Sequence, residues 1–337
     1  MAEHTVSIHH VELALQGARR RGLRVEPLLE RAGIAPALLD APLARISQAQ
    51  YGAVLRLLRR RLRDDLWGLL AQPVPLGTFE QCCRLLVQAP TLGDALRTGL
   101  RHYHGRMQEF TPRLQRADGL ACIVIVPRAD AAPSPFAAEY AQRAFLFLTF
   151  GVASWLAARR IPLVAVDYRG QAPAYGSEIA RLFQAKVRYG CPQYRLWFDE
   201  RWLLLPQVQN TQSLREFLQQ APGNLIVKYR DRTRVSDRIR RLLRSRLRDE
   251  LPSLEAVAQT LGMTPQTLAR RLREEGRGFQ ALKDDVRRDT AIELLQRPDL
   301  TLLDIGAQLG FSEASTFHRA FKKWTGVAPG EYRQRER

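Results

Sequence analysis

The chain has 337 residues, of which 45% are hydrophobic, and a formal net charge of +18. This length suits two domains. The longest apolar run, residues 144–158, is shorter and more interrupted than a membrane span requires, and the N-terminus lacks a signal-peptide core. We therefore expect a cytoplasmic protein that does not bind membranes.

The charge favours a polyanionic partner, but its distribution weakens that inference. Residues 230–337 contain 23 basic and 16 acidic residues, so +11 of the net charge lies elsewhere. If proteins of the source organism are generally rich in arginine, this would explain part of the positive charge as well as a polyanionic partner does. The four cysteines lack paired spacing, which argues against a disulfide framework or a zinc site and indicates a reducing compartment.

The N-terminal half predicts an α+β domain with a small, mostly antiparallel sheet. Helical periodicity spans 10–32 and 47–70, and Thr91 is a predicted N-cap for a helix that continues towards Tyr103. The turn sequence Ala117-Asp118-Gly119 predicts a hairpin between strands at 106–114 and 120–126. The further predicted elements are helices at 133–158 and 177–183 and strands at 163–168, 186–189 and 194–198.

A polar segment follows this domain. We predict a short helix at 213–220, a break at Ala221-Pro222-Gly223 and a helix at 236–248. The basic run 228–234 lies between them. Its arginines could contact DNA phosphates, or form a solvated face, with equal weight for each residue.

The last 85 or so residues contain two copies of a pattern typical of a helix-turn-helix. In the second copy Thr301 can cap a short helix, Gly310 can form its left-handed end, and Ser312 is a predicted N-cap for the next helix. Its inward positions are Phe317 and Phe321, and its other faces present Ala314, Ser315, His318, Arg319 and Lys322.

The first copy repeats this design. Ser253 caps its first helix, Gly262 makes the turn, and Thr264 caps the second helix with Pro265 at the first helical position. Leu268 and Leu272 point inward, and Gln266, Thr267, Ala269 and Arg270 point outward. An amphipathic helix at 279–296, stopped by Pro298, is predicted to connect the copies. Two such units on one chain can address successive major-groove segments roughly 34 Å apart.

This region resembles the DNA-binding domain of the AraC/XylS family of bacterial transcription regulators. The matching positions are Ala307, Gly310, Phe311, Ser312, Ser315, Phe317, Arg319, Phe321, Lys322, Gly326, Pro329, Tyr332 and Arg333, with Arg287, Ala291, Leu294 and Leu295 in the connecting helix. The resemblance implies that the helices starting near Thr264 and Ser312 bind the major groove. The DNA-binding residues are then Thr264, Gln266, Thr267, Arg270, Ser312, Ala314, Ser315, His318, Arg319 and Lys322. Ala269 and Ala314 are small where polar residues are common in the family, which leaves the bases recognised open.

The N-terminal half resembles, more weakly, the arabinose-binding-type domain that precedes such units. The similarity rests on Gly77, Thr91-Leu92, Ala95-Leu96 and Leu196-Trp197-Phe198. It implies a domain that senses a small effector, and dimerisation is a further role it allows. We therefore divide the chain into a sensing domain at 1–205, a linker at 206–232 and an all-α DNA-binding domain at 233–337.

The effector site stays unknown at this level. His102 and His104 would share a face in a strand but not in a helix, and no third metal ligand lies near them. Trp67, Tyr103, Phe145, Trp155 and Trp197 are expected in the core rather than in a pocket. We predict neither a metal nor a cofactor.

The function predicted is that of a transcription regulator whose partners are double-stranded promoter DNA, a small-molecule effector and RNA polymerase, with a homodimer as one allowed assembly. One alternative is an architectural DNA-binding protein without an effector. Another is an enzyme fused to a DNA-binding module, but Cys122 and Cys191 have no evident activating neighbour. We therefore do not expect an enzyme.

Overall fold

The computed structural model describes residues 5–128, 136–173, 175–221, 235–247 and 251–333. The chain folds into two compact units, each defined by the contacts among its own residues. The sheet unit comprises residues 13–25 and 52–229, and the helical unit comprises residues 1–12, 26–51 and 230–337. Residues 1–12 and 26–51 therefore group with the C-terminal helices rather than with the sheet. The basic run 228–234 lies outside the described residues.

The elements follow one another in this order. The strands are β1 Thr5–Ser7, β2 Arg45–Ser47, β3 Phe110–Ala117, β4 Leu120–Pro127, β5 Leu163–Asp167, β6 Lys186–Arg188 and β7 Tyr194–Asp199. The helices up to residue 221 are α1 Ile8–Arg20, α2 Glu26–Arg31, α3 Gln48–Leu62, α4 Thr78–Leu86, α5 Leu92–His104, α6 Phe136–Leu156, α7 Gly176–Phe183 and α8 Thr211–Gln220. The later helices are α9 Val235–Ser245, α10 Leu254–Thr260, α11 Pro265–Glu274, α12 Phe279–Leu294, α13 Leu302–Gln308, α14 Ala314–Thr325 and α15 Pro329–Arg333.

The predicted single helix over 10–32 is wrong, because the chain breaks between α1 and α2. Gly22 adopts a left-handed φ of +69°. The amide of Gly22 donates to Arg19 O at 2.9 Å, and the amide of Leu23 donates to Ala18 O at 3.0 Å. These two bonds form a Schellman cap, which satisfies the last carbonyls of α1 and ends it.

The predicted helix over 47–70 is likewise too long. Its start is as expected, since Ser47 and Gln50 exchange hydrogen bonds between side chain and backbone at 3.1 and 2.9 Å. The helix ends at Leu62 because Arg63 takes a left-handed φ of 52°. Hydrophobic residues beyond this point remain buried, but in an irregular segment.

The sheet of the sheet unit has the order β3-β4-β7-β5-β6. All neighbouring pairs are antiparallel except β5 and β6, which confirms the prediction of a small, mostly antiparallel sheet. The hairpin between β3 and β4 is confirmed too. Asp118 and Gly119 both have positive φ, 53° and 75°, as a two-residue turn that matches strand twist requires.

Helix α5 begins where its cap was predicted, because Thr91 Oγ1 accepts a hydrogen bond from the Asp94 amide at 3.1 Å. His102 and His104 lie on this helix. Two positions apart on a helix, they do not share a face, so they do not form a paired histidine site.

The helical unit contains α9–α15, α2, the first residues of α1 and α3, and the two-stranded antiparallel sheet of β1 and β2. Its core is built by fully buried aliphatic and aromatic side chains from α9, α11, α12, α13 and α14. They include Ile239, Leu243, Leu268, Leu282, Ile292, Ile305, Phe317 and Phe321.

Candidate functional site

Helices α10 and α11 form the first predicted helix-turn-helix. Ser253 caps α10 by accepting from the Ala256 amide at 3.3 Å. Gly262 turns the chain with φ +66°. Thr264 then caps α11 by accepting from the Thr267 amide at 3.2 Å. These local interactions give the second helix a defined start, which fixes the face it presents.

Helices α13 and α14 form the second helix-turn-helix. Thr301 and Asp304 make a reciprocal capping box at the start of α13, and Gly310 turns the chain with φ 74°. A side chain at Gly306 would meet Phe317 Cβ at 3.4 Å. The absence of a side chain at this position lets α13 pack closely on α14.

The predicted N-cap of α14 is wrong by one residue. Glu313, with φ −131° and ψ 139°, occupies the cap position, and its side chain makes no capping bond. Its carboxylate instead accepts a hydrogen bond from Ser315 Oγ at 3.0 Å. Because the helix begins at Ala314, Ser312 lies outside it, and its hydroxyl stays exposed.

The predicted DNA-binding residues lie on or beside α11 and α14. Within the described residues, the side chains of Arg319 and Lys322 make no hydrogen bond or ion pair, and Arg270 is 3.9 Å from Glu274, which is weak at this exposed position. These cations are thus open to a polyanion. Most of the predicted DNA-binding residues are exposed, namely Thr264, Gln266, Arg270, Ser312, Ser315, Arg319 and Lys322. The others are half-buried, namely Thr267, Ala314 and His318.

Helix α12 holds the second helix-turn-helix through Arg287. Its Nε donates to Leu309 O at 3.2 Å, at the end of α13. Its guanidinium also lies over the ring of Phe311, 5.1 Å from the centroid. A cation at a helix C-terminus and on an aromatic face is favourable in both places, so this single side chain fixes α13 and its turn on α12.

The first helix-turn-helix is tied to α9 by Glu275. Its carboxylate accepts from the amides of Val235 and Ser236 at 3.0 and 3.2 Å and from the Ser236 hydroxyl. An acidic group at the N-terminus of α9 satisfies its otherwise unbonded amides. Glu275 thereby fixes the end of α11 on α9.

Two buried carboxylates of α12 form an ionic network with arginines. Asp285 lies 2.7 Å from Arg240, 2.8 Å from Arg277 and 2.9 Å from Arg288. Asp289 lies 2.8 Å from Arg288. Burial alone would raise the pKa of each carboxyl, but Arg288 and Arg240 lower both, with Arg277 also acting on Asp285 and Arg45 on Asp289. Both aspartates are therefore ionised, and the network joins the middle of α12 to α9 and to Arg277, which precedes α12.

The sheet unit contains a mostly apolar cavity of about 130 Å³. Its walls come from the end of α3, the irregular segment after it, and α4, α5, α6 and α8. The aromatic lining residues are Trp67, Phe79, Tyr103 and Phe145, and the charged ones are Arg59, Asp65 and Glu80. Small-ligand sites have this composition, an apolar pocket with a few polar groups. Trp67, Tyr103 and Phe145 are buried as expected, yet they also line this cavity.

Nothing in the local sequence pattern distinguishes the lining residues from other core residues. Trp155 and Trp197, by contrast, do not line the cavity. Trp155 stacks on Phe217 with ring centroids 4.2 Å apart, and Trp197 donates from Nε1 to Asp167 at 2.7 Å. The cavity exists because helices far apart in sequence converge, so only the packed structure defines it.

The thiols near the cavity and in the sheet are poorly suited to nucleophilic chemistry. Burial raises the pKa of Cys82 and that of Cys122 to about 12 each, so both thiols are protonated at neutral pH. Among the described residues there is no group of three or more histidine, cysteine, aspartate or glutamate side chains that could hold a metal ion. No helix in the described part of the chain is long and apolar enough to cross a membrane.

Comparison with known families identifies both parts of the chain. Residues 22–207 match the arabinose-binding domain of AraC transcription regulators, N-terminal. Residues 257–335 match a helix-turn-helix domain. The chain belongs to the AraC family of transcription regulators. Like other AraC-family chains, it thus combines an N-terminal effector-binding domain with a DNA-binding helix-turn-helix domain.

Two regulators are similar to the chain over almost its whole length. The chain is 26% identical over 330 residues to the ornithine utilization regulator of Pseudomonas aeruginosa, covering 98% of this chain and 96% of that protein. It is 28% identical over 334 residues to an uncharacterized HTH-type transcriptional regulator of Mycobacterium tuberculosis, covering 97% and 96%. The crystal structure of the transcriptional regulator CdpR from Pseudomonas aeruginosa is 22% identical and covers 83% of this chain and 96% of its own, but its TM-score is only 0.31.

Proposed function

We propose that this AraC-family chain binds double-stranded promoter DNA through α11 and α14 and that a small effector in the sheet unit controls this binding. The observation that supports it best is the pair of helix-turn-helix units in the helical unit, each with an open basic side chain. Arg270 and Arg319 occupy corresponding positions on α11 and α14, the two proposed recognition helices, and both are exposed. Arginine has the length and fork to contact guanine or phosphate.

A footprint on the DNA upstream of the protein's own gene tests the DNA-binding part. The wild-type chain should protect about two helical turns at two salt concentrations. The double variant R270A/R319A should lose this protection, while R297A should retain it, because Arg297 is exposed outside both recognition helices and pairs with Asp299. Diffuse binding by all three chains that weakens with salt would favour an architectural protein instead.

The cavity of the sheet unit is the effector site in this proposal. Leu218 and Ala221 line it at the end of α8, and residues 222–234 then connect α8 to α9 of the helical unit. Phe217 fixes α8 by stacking on Trp155. An effector that contacts this end of α8 therefore lies at the point in the sequence where the segment leading to the DNA-binding helices begins.

Linkage provides the test of effector control. If the effector changes DNA affinity by some factor, DNA must change effector affinity by the same factor. We expect saturating operator DNA to shift the effector dissociation constant in titrations with the full chain. An unchanged constant would show that the cavity and the DNA site are not coupled through binding.

We further propose that the regulator acts in the cytoplasm, contacts RNA polymerase and assembles as a homodimer. The AraC-family assignment supports these proposals. The cytoplasm is proposed because promoter DNA and RNA polymerase are both found there. Sedimentation of the purified chain with and without operator DNA tests the assembly. A single monomer mass in both conditions would exclude the homodimer.

A further inference from the structure

The size of the cavity limits what it can hold. Its volume is about 130 Å³, and apolar protein cavities of about 150 Å³ are known to hold benzene. Leu66, Trp67, Phe79, Leu100 and Phe145 provide an apolar lining. A group of about six carbon atoms fits this space, whereas a long alkyl chain would extend beyond it.

The buried carboxylate that lines the cavity, that of Asp65, is already hydrogen-bonded through both of its oxygens. Asp65 accepts from Arg59 Nε at 2.5 Å with one carboxylate oxygen and from the Phe79 amide at 2.8 Å with the other. Glu80 accepts from Arg84 at 2.7 Å. Asp65 therefore has little capacity left to accept a hydrogen bond from a ligand, and the charge of Glu80, whose side chain is 44% exposed, is screened by solvent.

Donors, in contrast, remain available at the same cavity. Arg59 uses only Nε, and its two terminal nitrogens make no hydrogen bond within the described residues. The hydroxyl of Tyr103 makes none there either, and burial raises the pKa of Tyr103, so it keeps its proton. The guanidinium of Arg59 and the hydroxyl of Tyr103 can thus donate hydrogen bonds, which a ligand with two oxygen acceptors can accept.

We propose that the cavity binds a small monocarboxylate whose apolar part is the size of a benzene ring or a six-carbon chain, with its carboxylate hydrogen-bonded by Arg59 and the Tyr103 hydroxyl and its apolar part near Phe145. This inference rests on the proposed effector site and names the class of its ligand. An amine is disfavoured because Arg59 would repel it and both oxygens of the buried Asp65 are already engaged. Ornithine, named for one relative, has two ammonium groups and no apolar part of this kind.

The test measures binding of defined probes to the full chain by titration calorimetry and by the shift in thermal unfolding. Benzoate and hexanoate represent the proposed class. Benzyl alcohol lacks the carboxylate, hexylamine reverses the charge, decanoate exceeds the cavity, and L-ornithine represents the amino acid alternative. We expect benzoate and hexanoate to bind most tightly.

Three variants locate the binding. R59Q should weaken benzoate binding about tenfold or more, because it removes a charge-assisted hydrogen bond, and should leave benzyl alcohol unaffected. R60Q, an exposed neighbour on α3 outside the lining, should bind benzoate as the wild type does. L148W should fill the cavity and abolish binding of both benzoate and hexanoate, while unliganded thermal unfolding verifies that each variant is folded.

The possible results separate this inference from the proposed function. Equal or tighter binding of benzyl alcohol, hexylamine, decanoate or ornithine overturns the ligand class, and so does the absence of binding by any probe or an R59Q variant that binds benzoate normally. If ornithine binds, is blocked by L148W and alters operator affinity, the cavity is the effector site but the class is wrong. If benzoate binds as expected without altering operator affinity, the class holds and effector control by this cavity fails.

Discussion

Thr5 donates a hydrogen bond of 2.7 Å from its hydroxyl to a carboxylate oxygen of Asp289, 284 positions later in the chain. The same hydroxyl accepts from Arg45 Nε at 2.8 Å. A second link joins Gln296, in the turn after α12, to Gln50 at 3.0 Å. Residues near the N-terminus thus provide hydrogen-bond partners for α12 and the turn after it. Helix α12 in turn supports both helix-turn-helix units.

Substitution T5V should destabilise the helical unit by about 1–3 kcal/mol, since it removes a buried hydrogen bond to a charged group and a partner of Arg45. Urea unfolding followed by Trp324 fluorescence, in a chain whose other four tryptophans are replaced by phenylalanine, measures the change. The matched control is T260V, because Thr260 is exposed and bonds only within its own helix, to Ala256 O. Equal stability of the two variants would mean that the N-terminal strand does not support α12.

Acidification should destabilise the helical unit through Asp285 and Asp289. Their folded pKa values lie below the ordinary aspartate value of 3.8, so their stabilisation is present above pH 3.8 and is lost as the pH falls through the lower folded pKa values. D285N should cost about 3 kcal/mol or more near neutral pH, because it leaves three arginines around a neutral group.

This cost should shrink as the pH falls below about 4. The quantity to measure is the difference in unfolding free energy between wild type and D285N along the pH series. The wild type alone is less informative, since burial raises the pKa of Asp64 in the sheet unit and gives an opposite dependence. A pH-independent difference would show that Asp285 is not held ionised by its arginines.

The turn of the first helix-turn-helix should depend on Gly262. Its φ of +66° is unfavourable for alanine although no atom lies within 4 Å of an added Cβ, so G262A should cost about 1–2 kcal/mol. Asparagine visits this region more readily, and G262N should cost less. G330A is the control, because Gly330 lies in α15 with open space and no positive φ. Thermal unfolding of the three variants checks whether G262A costs more stability than G262N and G330A the least. If G262N costs more than G262A, steric crowding at the turn decides the cost rather than the φ angle.

Two side chains of α14 should separate base contacts from phosphate contacts. R319A should cost about 1–3 kcal/mol on the specific operator and relax the preference at one base pair. K322A should weaken binding to all sequences and reduce the salt slope by about 1. Affinities on single-base operator variants at several salt concentrations distinguish the two. A uniform loss for R319A would assign Arg319 to phosphate.

Elements defined by neighbouring residues were predictable. The caps at Thr91, Ser253, Thr264 and Thr301 depend on a hydroxyl and an amide three residues later, and the Asp118-Gly119 hairpin depends on two positive φ angles. Such interactions close within a few residues, so the sequence pattern contains all the participants. The cap at Ser312 failed because Glu313 could equally adopt the extended conformation before the helix.

The sequence by itself determined the two helix-turn-helix units, the connecting helix and the antiparallel character of the sheet, since each follows from local periodicity and turn chemistry. Only the tertiary structure decided that Thr5 and Arg45 belong with Asp289, and that Arg59, Tyr103 and Ala221 surround one cavity. Such groupings depend on how distant helices pack, and a buried side chain at a cavity has the same local pattern as one in a filled core.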